Sequence, residues 1–426
     1  MTEVSRSLIP GSLIPGSLIS GSLIPVSLII VSRHRAASLL RTISAVRLQD
    51  HAALELIVVA DPAAAQQLRA RNLPIKLVEF DQANISAARN AGLAVAAGDV
   101  VAFLDDDAVP EPTWITRLTA PFANANVRAA TGFVRGRNGI SDQWRACDVD
   151  LFGWDHAISV DRHSVTLLAG TALRAVKAQG TNCAFRRADL LALGGFDDGF
   201  QFYLEDADIS LRLAAFGGLT AVVPMAVVQH GFAASAQRRA DRVPLSLHQI
   251  GASTAIFLRR HARLADLASQ KRVQRQTQKA RLLRHLVMGG LEPRDIAPMI
   301  DSFDQGWAEG MRRDLRGFEP KPVTETQFHL LGTGPRPGLL IAGRIWQRRN
   351  LMRRAGVETA LGKIVTVICL SPTTWYHRHS FESGGFWMQQ GGIYGKSVRD
   401  QALRLPKSFE ARLAEEKDRI GATRPI

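Results

Sequence analysis

Between residues 26 and 104, short apolar runs alternate with segments of helical periodicity, and this alternation restricts the chain to few architectures. The runs predicted as buried strands are 26–31, 54–59, 75–80 and 100–104, and the predicted helices between them are 38–48, 66–72 and 86–97. Strands that alternate with helices predict an α/β fold, a mostly parallel sheet with helices on both faces. Such sheets bind ligands at the carboxyl ends of their strands.

Polar residues follow each predicted strand, and three consecutive acids follow the fourth. Adjacent carboxylates repel one another unless a cation neutralises them. Because alternate residues of an extended chain share a face, Asp105 and Asp107 can bind one ion while Asp106 turns away. Oxygen ligands of this kind suit Mn²⁺ or Mg²⁺ bound to phosphate. The alternative interpretation is a solvated acidic turn before Pro110.

Seven short motifs occur in one order along the first half of the chain: VSLIIV, LIVVAD, NISAARNAG, FLDDD, GTNCAFRR, GGFD and YLEDAD. This series resembles the family 2 glycosyltransferases of GT-A fold over about residues 26–232. The resemblance implies inverting transfer of a sugar from a nucleotide diphosphate. It implies that Asp61 holds the nucleobase, that Asn84 and Arg89 help to enclose the nucleotide, and that Asp105 and Asp107 hold the metal and diphosphate.

Ser32, Arg33 and Asp106 are also assigned to nucleotide-sugar binding. The sequence departs from the family pattern at Ala60, where an acid is usual, and at 32–35, so UDP, dTDP and GDP sugars all remain open as donors. Structural alternatives exist for three residues. Asp61 is a turn former before proline, Asn84 is a helix cap, and Arg89 is a solvent-facing helix residue.

The acceptor half is predicted to carry the catalytic base. Inversion requires one carboxylate to accept the proton of the acceptor hydroxyl, and the resemblance places it in Glu205-Asp206. We assign the base to Asp206 and acceptor positioning to Glu205; helix capping by both acids is the alternative. By the same resemblance His230 is a further metal ligand. Asn182 and Trp154 are assigned to the acceptor side.

The flanking regions are predicted from composition. Residues 1–25 repeat a five-residue unit broken by proline and glycine, which predicts a disordered lead-in that can be deleted without loss of fold or activity. The domain at 26–235 is followed by a basic helical region (236–317), a linker (318–338) and a small α+β tail (339–426) without an assigned role. Three widely spaced cysteines fit a reducing compartment, and hence a cytoplasmic location.

The net charge of +14 favours an anionic partner. The basic helices suit peripheral binding to an anionic membrane surface, where a lipid-linked acceptor resides, or else form a solvated face. No motif supports nucleic-acid binding. The chain is therefore interpreted as a metal-dependent glycosyltransferase using a nucleotide-diphosphate sugar donor and a glycan or lipid-linked acceptor. The alternative is an inactive nucleotide-sugar-binding or scaffold protein.

Overall fold

The computed structural model describes residues 23–231, 234–235, 237–262, 266–315, 317–402, 404 and 406–426. Four parallel strands in the order β3-β2-β1-β4 open the central sheet. They are β1 (Val26–Ser32), β2 (Leu54–Ala60), β3 (Lys76–Glu79) and β4 (Val100–Asp105), connected by α1 (Ala36–Val46), α2 (Pro62–Arg69) and α3 (Ile85–Ala94). The predicted series of strands and helices is confirmed.

The sheet continues beyond β4 with mixed direction, in the order β4-β12-β6-β13-β10. A small sheet, in the order β11-β8-β9, lies beside it. The strands and helices of this part of the chain are β5 (Ala108–Pro110), α4 (Trp114–Thr119), β6 (Val127–Arg135), β7 (Asp142–Trp144), β8 (Cys147–Asp150), β9 (Asp155–Ala157), β10 (Thr166–Ala169), β11 (Arg174–Val176), β12 (Cys183–Arg186), α5 (Arg187–Ala192), α6 (Glu205–Phe216) and β13 (Leu219–His230). Strand β12 is antiparallel to both its neighbours, whereas β13 is parallel to β6.

The predicted strand at 219–223 is too short. Strand β13 continues through Pro224 to His230, with a register shift against β6 between Val223 and Val228. Proline cannot donate to a strand ladder, so it is tolerated where the pairing is irregular. As a result His230 ends this long strand, next to β5.

The apolar core lies on both faces of the sheet. Leu28 and Ile30 of β1 pack in one cluster with Leu39 of α1, whereas Ile29 packs in another with Phe103 and Leu93. Alternate residues of a strand point to opposite faces, so a strand buried on both sides reads as a continuous apolar run. The α/β prediction with helices on both faces is therefore confirmed.

Three helices form the predicted basic helical region: α7 (His248–His261), α8 (Leu267–Val287) and α9 (Pro293–Arg312). Ile256 and Phe257 of α7 pack against Leu204 and Leu211, at α6 of the first domain. None of the helices in the described ranges is both long and apolar enough to cross a lipid bilayer.

The C-terminal tail forms its own four-stranded sheet, in the order β14-β15-β17-β16. Its elements are β14 (Gly338–Arg344), α10 (Arg348–Ala360), β15 (Ile364–Ser371), β16 (Arg378–Phe381), β17 (Trp387–Gly392) and α11 (Phe409–Gly421). The tail docks on the first domain: Phe381 and Trp387 pack against Leu48, and Arg424 forms two 2.9 Å hydrogen bonds with the buried Glu111.

Two flanking segments differ from expectation. The predicted linker is held along the start of β2, because the Leu331 N–H donates to the carbonyl of Leu54 at 2.8 Å. At the N-terminus, residues 1–22 of the predicted lead-in lie outside the described residues. Pro25 already belongs to the domain, since its carbonyl accepts from the Val100 N–H at 3.2 Å.

Candidate active site

Three potential metal ligands meet at the carboxyl end of β4. Asp105, Asp107 and His230 each offer one ligand atom, and these atoms all lie within 4.8 Å of one another. The Nε2 atom of His230 is 3.1 Å from Oδ1 of Asp107 and 3.6 Å from Oδ2 of Asp105. Two ligands of an octahedral ion at about 2.1 Å lie about 3 Å apart when at right angles. The donor set therefore fits one Mn²⁺ or Mg²⁺ ion.

Gln143 orients the histidine of this cluster. Its side-chain oxygen lies 3.2 Å from Nδ1 of His230. An amide oxygen only accepts hydrogen bonds, so it suits a ring that carries its proton on Nδ1, which is the tautomer that metal binding through Nε2 would require. Gln143 lies on β7, and sequence analysis did not identify it.

The middle acid, Asp106, points away from the cluster. It is fully buried, accepts a 2.6 Å hydrogen bond from the Ser32 hydroxyl and pairs with Arg35. Burial raises the pKa of Asp106 to about 7, against the opposing effects of Arg35 and Ser32. Asp106 and Ser32 thus connect the ends of β1 and β4, and Arg35 also reaches Asp107 at 3.5 Å.

Asp61 and Asn84 both cap helices. An oxygen of Asp61 accepts from the Ala64 N–H at 3.1 Å and caps α2, while its second oxygen accepts from the His34 N–H at 2.8 Å. Burial opposes these bonds, but they lower the pKa of Asp61. Asn84 accepts from the Ala87 N–H at 3.0 Å at the start of α3. The capping alternatives are therefore present, and the Asp61 bond also fixes the loop that carries His34.

Arg89 lies in the interior of the site. Its guanidinium donates to Glu205 Oε1 at 3.0 Å and to the Gly180 carbonyl at 3.1 Å, and it lies 3.8 Å from Asp105. The residue is only 2% exposed, so the solvent-facing alternative is wrong. Burial raises the pKa of Glu205, although Arg89 opposes this. Arg89 therefore links the metal carboxylates to the first turn of α6.

Asp206 faces a second cation, Lys177, which sequence analysis missed. The Lys177 ammonium lies 3.1 Å from both oxygens of Asp155 and 3.9 Å from Oδ1 of Asp206. Burial acts to lower the pKa of Lys177, but the two carboxylates outweigh it and raise the pKa above its ordinary value. Asp206 also accepts a 3.3 Å hydrogen bond from the Gly180 N–H.

The turn before α6 is conformationally strained. Tyr203 and Leu204 both have left-handed backbones, with φ of 76° and 67°. A left-handed backbone at a residue other than glycine costs about 1–2 kcal/mol. The side chain of Leu204 is held in a buried cluster with Phe200 and Phe257, which offsets the strain. Packing therefore fixes the direction in which Glu205 and Asp206 leave the turn.

Of the two predicted acceptor-side residues, Asn182 lies outside this group, whereas Trp154 directly precedes Asp155 of the Lys177 cluster and its acceptor-side role stays a prediction. Asn182 is fully buried, accepts from Trp114 Nε1 and donates to the carbonyls of Phe133 and Ala226. Both amide hydrogens are used, so the acceptor-side assignment of Asn182 is wrong and the residue stabilises the sheet. Trp154 is half-buried between β8 and β9, where its backbone bonds to Asp150.

An open cavity of about 420 Å³ adjoins the metal cluster, lined by His34, Arg35, Ala36, Ala37, Ser38, Arg41, Asp107, Gly231 and Ala234. Its wall includes the N-terminus of α1, where backbone N–H groups attract anions. Arg33 lies outside this lining, exposed and bonded to Asp81 at 2.7 Å. The cavity therefore combines basic side chains with the predicted metal site, which suits a diphosphate.

Part of the chain is similar in sequence to known glycosyltransferases. A family model described as glycosyl transferase family 2 matches residues 27–189. The chain is 27% identical over 175 residues to a glucosyl-dolichyl phosphate glucuronosyltransferase of Haloferax volcanii, covering 39% of this chain and 53% of that protein. It is 35% identical over 114 residues to the succinoglycan biosynthesis protein ExoM of Rhizobium meliloti, covering 25% and 37%. The chain thus spans about half or less of these relatives.

Among solved structures, the chain is similar to the mannosyltransferase PcManGT from Pyrobaculum calidifontis, described in complex with GDP-Man and Mn²⁺. The identity is 17%, the TM-score is 0.42, and the match covers 68% of this chain and 88% of that one.

Proposed function

We propose, because a glycosyl transferase family 2 model matches residues 27–189, that this chain is a metal-dependent, inverting glycosyltransferase. It moves a sugar from a nucleotide-diphosphate sugar to a hydroxyl group of a glycan or lipid-linked acceptor. The observation that carries this proposal is the cluster of Asp105, Asp107 and His230 beside a basic cavity.

Asp105, Asp107 and His230 would hold Mn²⁺ or Mg²⁺. When bound, the ion would supply positive charge beside the leaving diphosphate, so that the leaving group would need no protonation. Arg35, at the edge of the cavity and 3.5 Å from Asp107, contributes a fixed positive charge on the same side. Gln143 holds the His230 ring in the orientation that this role requires.

Asp206 is the proposed base. Glu205 is buried, and its Oε1 accepts a hydrogen bond from Arg89, so it is less free to accept a proton from a bound acceptor. Asp206 is 3.9 Å from Lys177, which balances its charge without forming a close hydrogen bond. In the reaction, Asp206 accepts the proton of the attacking hydroxyl while the bond between the sugar and the diphosphate breaks.

The acceptor class is proposed from two relatives. One is named for a glucosyl-dolichyl phosphate, a lipid-linked sugar, and the other for succinoglycan biosynthesis, a polysaccharide pathway. Both names support the proposal of a lipid-linked or glycan acceptor and of a role in polysaccharide synthesis.

Donor turnover tests the proposal. The protein is incubated with UDP-, dTDP- and GDP-sugars plus Mn²⁺ or Mg²⁺, and the released nucleoside diphosphate is measured. Release should occur with one nucleotide class, should stop with a chelator, and should be lost in Asp107→Asn. Metal-dependent nucleotide binding without turnover, with or without candidate acceptors, would instead support the inactive binding protein.

A further inference from the structure

Helix α8 presents an apolar stripe to solvent. The exposed side chains are Val273 at 47%, Leu283 at 42% and Val287 at 88%, followed by Met288 at 82% just after the helix. With about 100° of rotation per residue, Val273, Ala280, Leu283 and Val287 fall within about 80° of the helix circumference. The opposite face packs inward through Gln274, Gln278 and Leu282. The stripe is therefore an outer surface, interrupted within the same sector by the exposed Gln276.

Cations flank this stripe on both sides. At the same rotation, exposed Arg272 and Lys279 border one side and exposed Arg284 borders the other. None of the three forms an ion pair with any residue that the structure describes, whereas Lys271 and Arg275 pair with Asp304 of α9. Helix α8 contains no acidic residue. The outer face is thus mostly apolar along its centre, where Gln276 is the polar exception, and positive at its margins.

The C-terminal half of α8 lies near the segment that leads to the active site. Val243 and Leu247 of this segment pack in one cluster with Leu282 of α8. Arg239 donates to the carbonyl of Gly290, just beyond α8, at 3.1 Å. The segment that leads to these residues begins at Gly231, which lines the cavity beside Asp107.

We propose that the membrane-docking face, defined as Arg272, Val273, Lys279, Leu283, Arg284, Val287 and Met288, binds an anionic lipid bilayer. Apolar side chains enter the boundary between headgroups and acyl chains while flanking cations meet anionic headgroups. Nucleic acid presents anionic phosphates but no apolar layer, so it would pair with the cations of the face and leave its apolar side chains exposed. This inference rests on the proposed function. Docking would bring the donor cavity near the membrane surface, where a lipid-linked acceptor is presented.

Vesicle co-sedimentation of the full chain tests this proposal. The vesicles are phosphatidylcholine alone or phosphatidylcholine with phosphatidylglycerol. One variant carries Leu283→Gln and Val287→Gln, and another carries Arg272→Gln, Lys279→Gln and Arg284→Gln. The matched controls are exposed residues in α10 and just after it: Val357→Gln with Leu361→Gln, and Arg349→Gln with Arg353→Gln and Arg354→Gln.

The wild type should bind the anionic vesicles and bind neutral vesicles far less. Each basic residue near an anionic bilayer contributes about fivefold, so the triple charge variant should lose about 100-fold in partitioning at low salt. The apolar variant should also lose binding, and both α10 controls should match the wild type. Donor hydrolysis without vesicles should be unchanged in every variant, which separates a failed docking face from a failed enzyme assignment.

Absence of wild-type binding to anionic vesicles would overturn the proposal, and so would binding that the α8 changes leave intact. Sedimentation velocity on the same variants distinguishes a second copy of the chain as the occupant. A dimer that dissociates on the α8 changes, without membrane binding, also overturns it.

Discussion

Replacing Arg89 by methionine should destabilise the domain by about 3–5 kcal/mol, the cost typical of removing one partner of a buried ion pair. The Arg89 side chain is 3% exposed and lies 3.0 Å from Glu205. It also donates to the Gly180 carbonyl at 3.1 Å. Methionine preserves much of the length but leaves the Glu205 carboxylate without its cation in a poorly solvated position.

The loss should depend on pH. Burial already raises the pKa of Glu205 above its unfolded value, and Arg89 opposes that rise. Without Arg89 the pKa rises further, so the folded variant binds a proton more readily than its unfolded chain. Stability of a state that binds more protons falls as pH increases. The loss of unfolding free energy in Arg89→Met should therefore be largest near pH 8. It should shrink as the pH is lowered into the range where Glu205 is protonated.

Urea unfolding of Arg89→Met, Glu205→Gln and the double variant measures the pair directly. Contacting residues typically show coupling of about 0.5–3 kcal/mol, and the double variant should be more stable than the sum of the single losses predicts. Arg69→Met is the matched control, because the Arg69–Glu79 pair is largely exposed and should contribute less than about 1 kcal/mol. A loss in Arg89→Met no greater than in this control, or additive losses, would refute the reasoning.

Three further predictions concern the base and the flanking segments. Asp206→Asn should reduce transfer by about 10²–10⁴-fold at saturating donor while nucleotide binding persists, and Glu205→Gln should affect the acceptor KM more than kcat; near-normal kcat in both variants would favour helix capping. Arg424→Met should cost about 3–5 kcal/mol in thermal unfolding by leaving Glu111 buried without its bidentate partner, and an unchanged melting temperature would contradict it. Deletion of residues 1–22 should leave the melting temperature unchanged, whereas deletion of 1–25 should lower it by removing the Pro25 carbonyl bond.

The parallel half of the sheet was predictable because its signal is local. Strands buried on both faces are uninterrupted apolar runs, and the acids that follow β4 stand next to one another in the sequence. The order of residues alone therefore placed Asp105 and Asp107 at a strand end. The end of β13 was not predictable in this way, since a register shift lets the strand pass Pro224.

Contacts across loops account for what the sequence could not predict. Lys177 reaches Asp155 and Asp206 from separate elements, and no spacing rule joins the three. Gln143 and His230 meet only because β7 and β13 both flank β6. Asn182 shows the opposite case. Its place in a motif predicted an acceptor-side role, but its side chain forms hydrogen bonds within the core. Local patterns define strands and charge, but the partner of a side chain depends on tertiary packing.

Calorimetric titration of UDP, dTDP and GDP into the wild type and Asp107→Asn tests the central claim most directly. With Mn²⁺ present, one nucleoside diphosphate should bind the wild type, and a chelator should abolish binding, because the diphosphate would otherwise meet like charge at Asp105 and Asp107. Asp107→Asn should lose this binding even with Mn²⁺. Equal affinity with and without the metal, or unchanged affinity in Asp107→Asn, would contradict the assignment of Asp105, Asp107 and His230 as the metal-dependent diphosphate site.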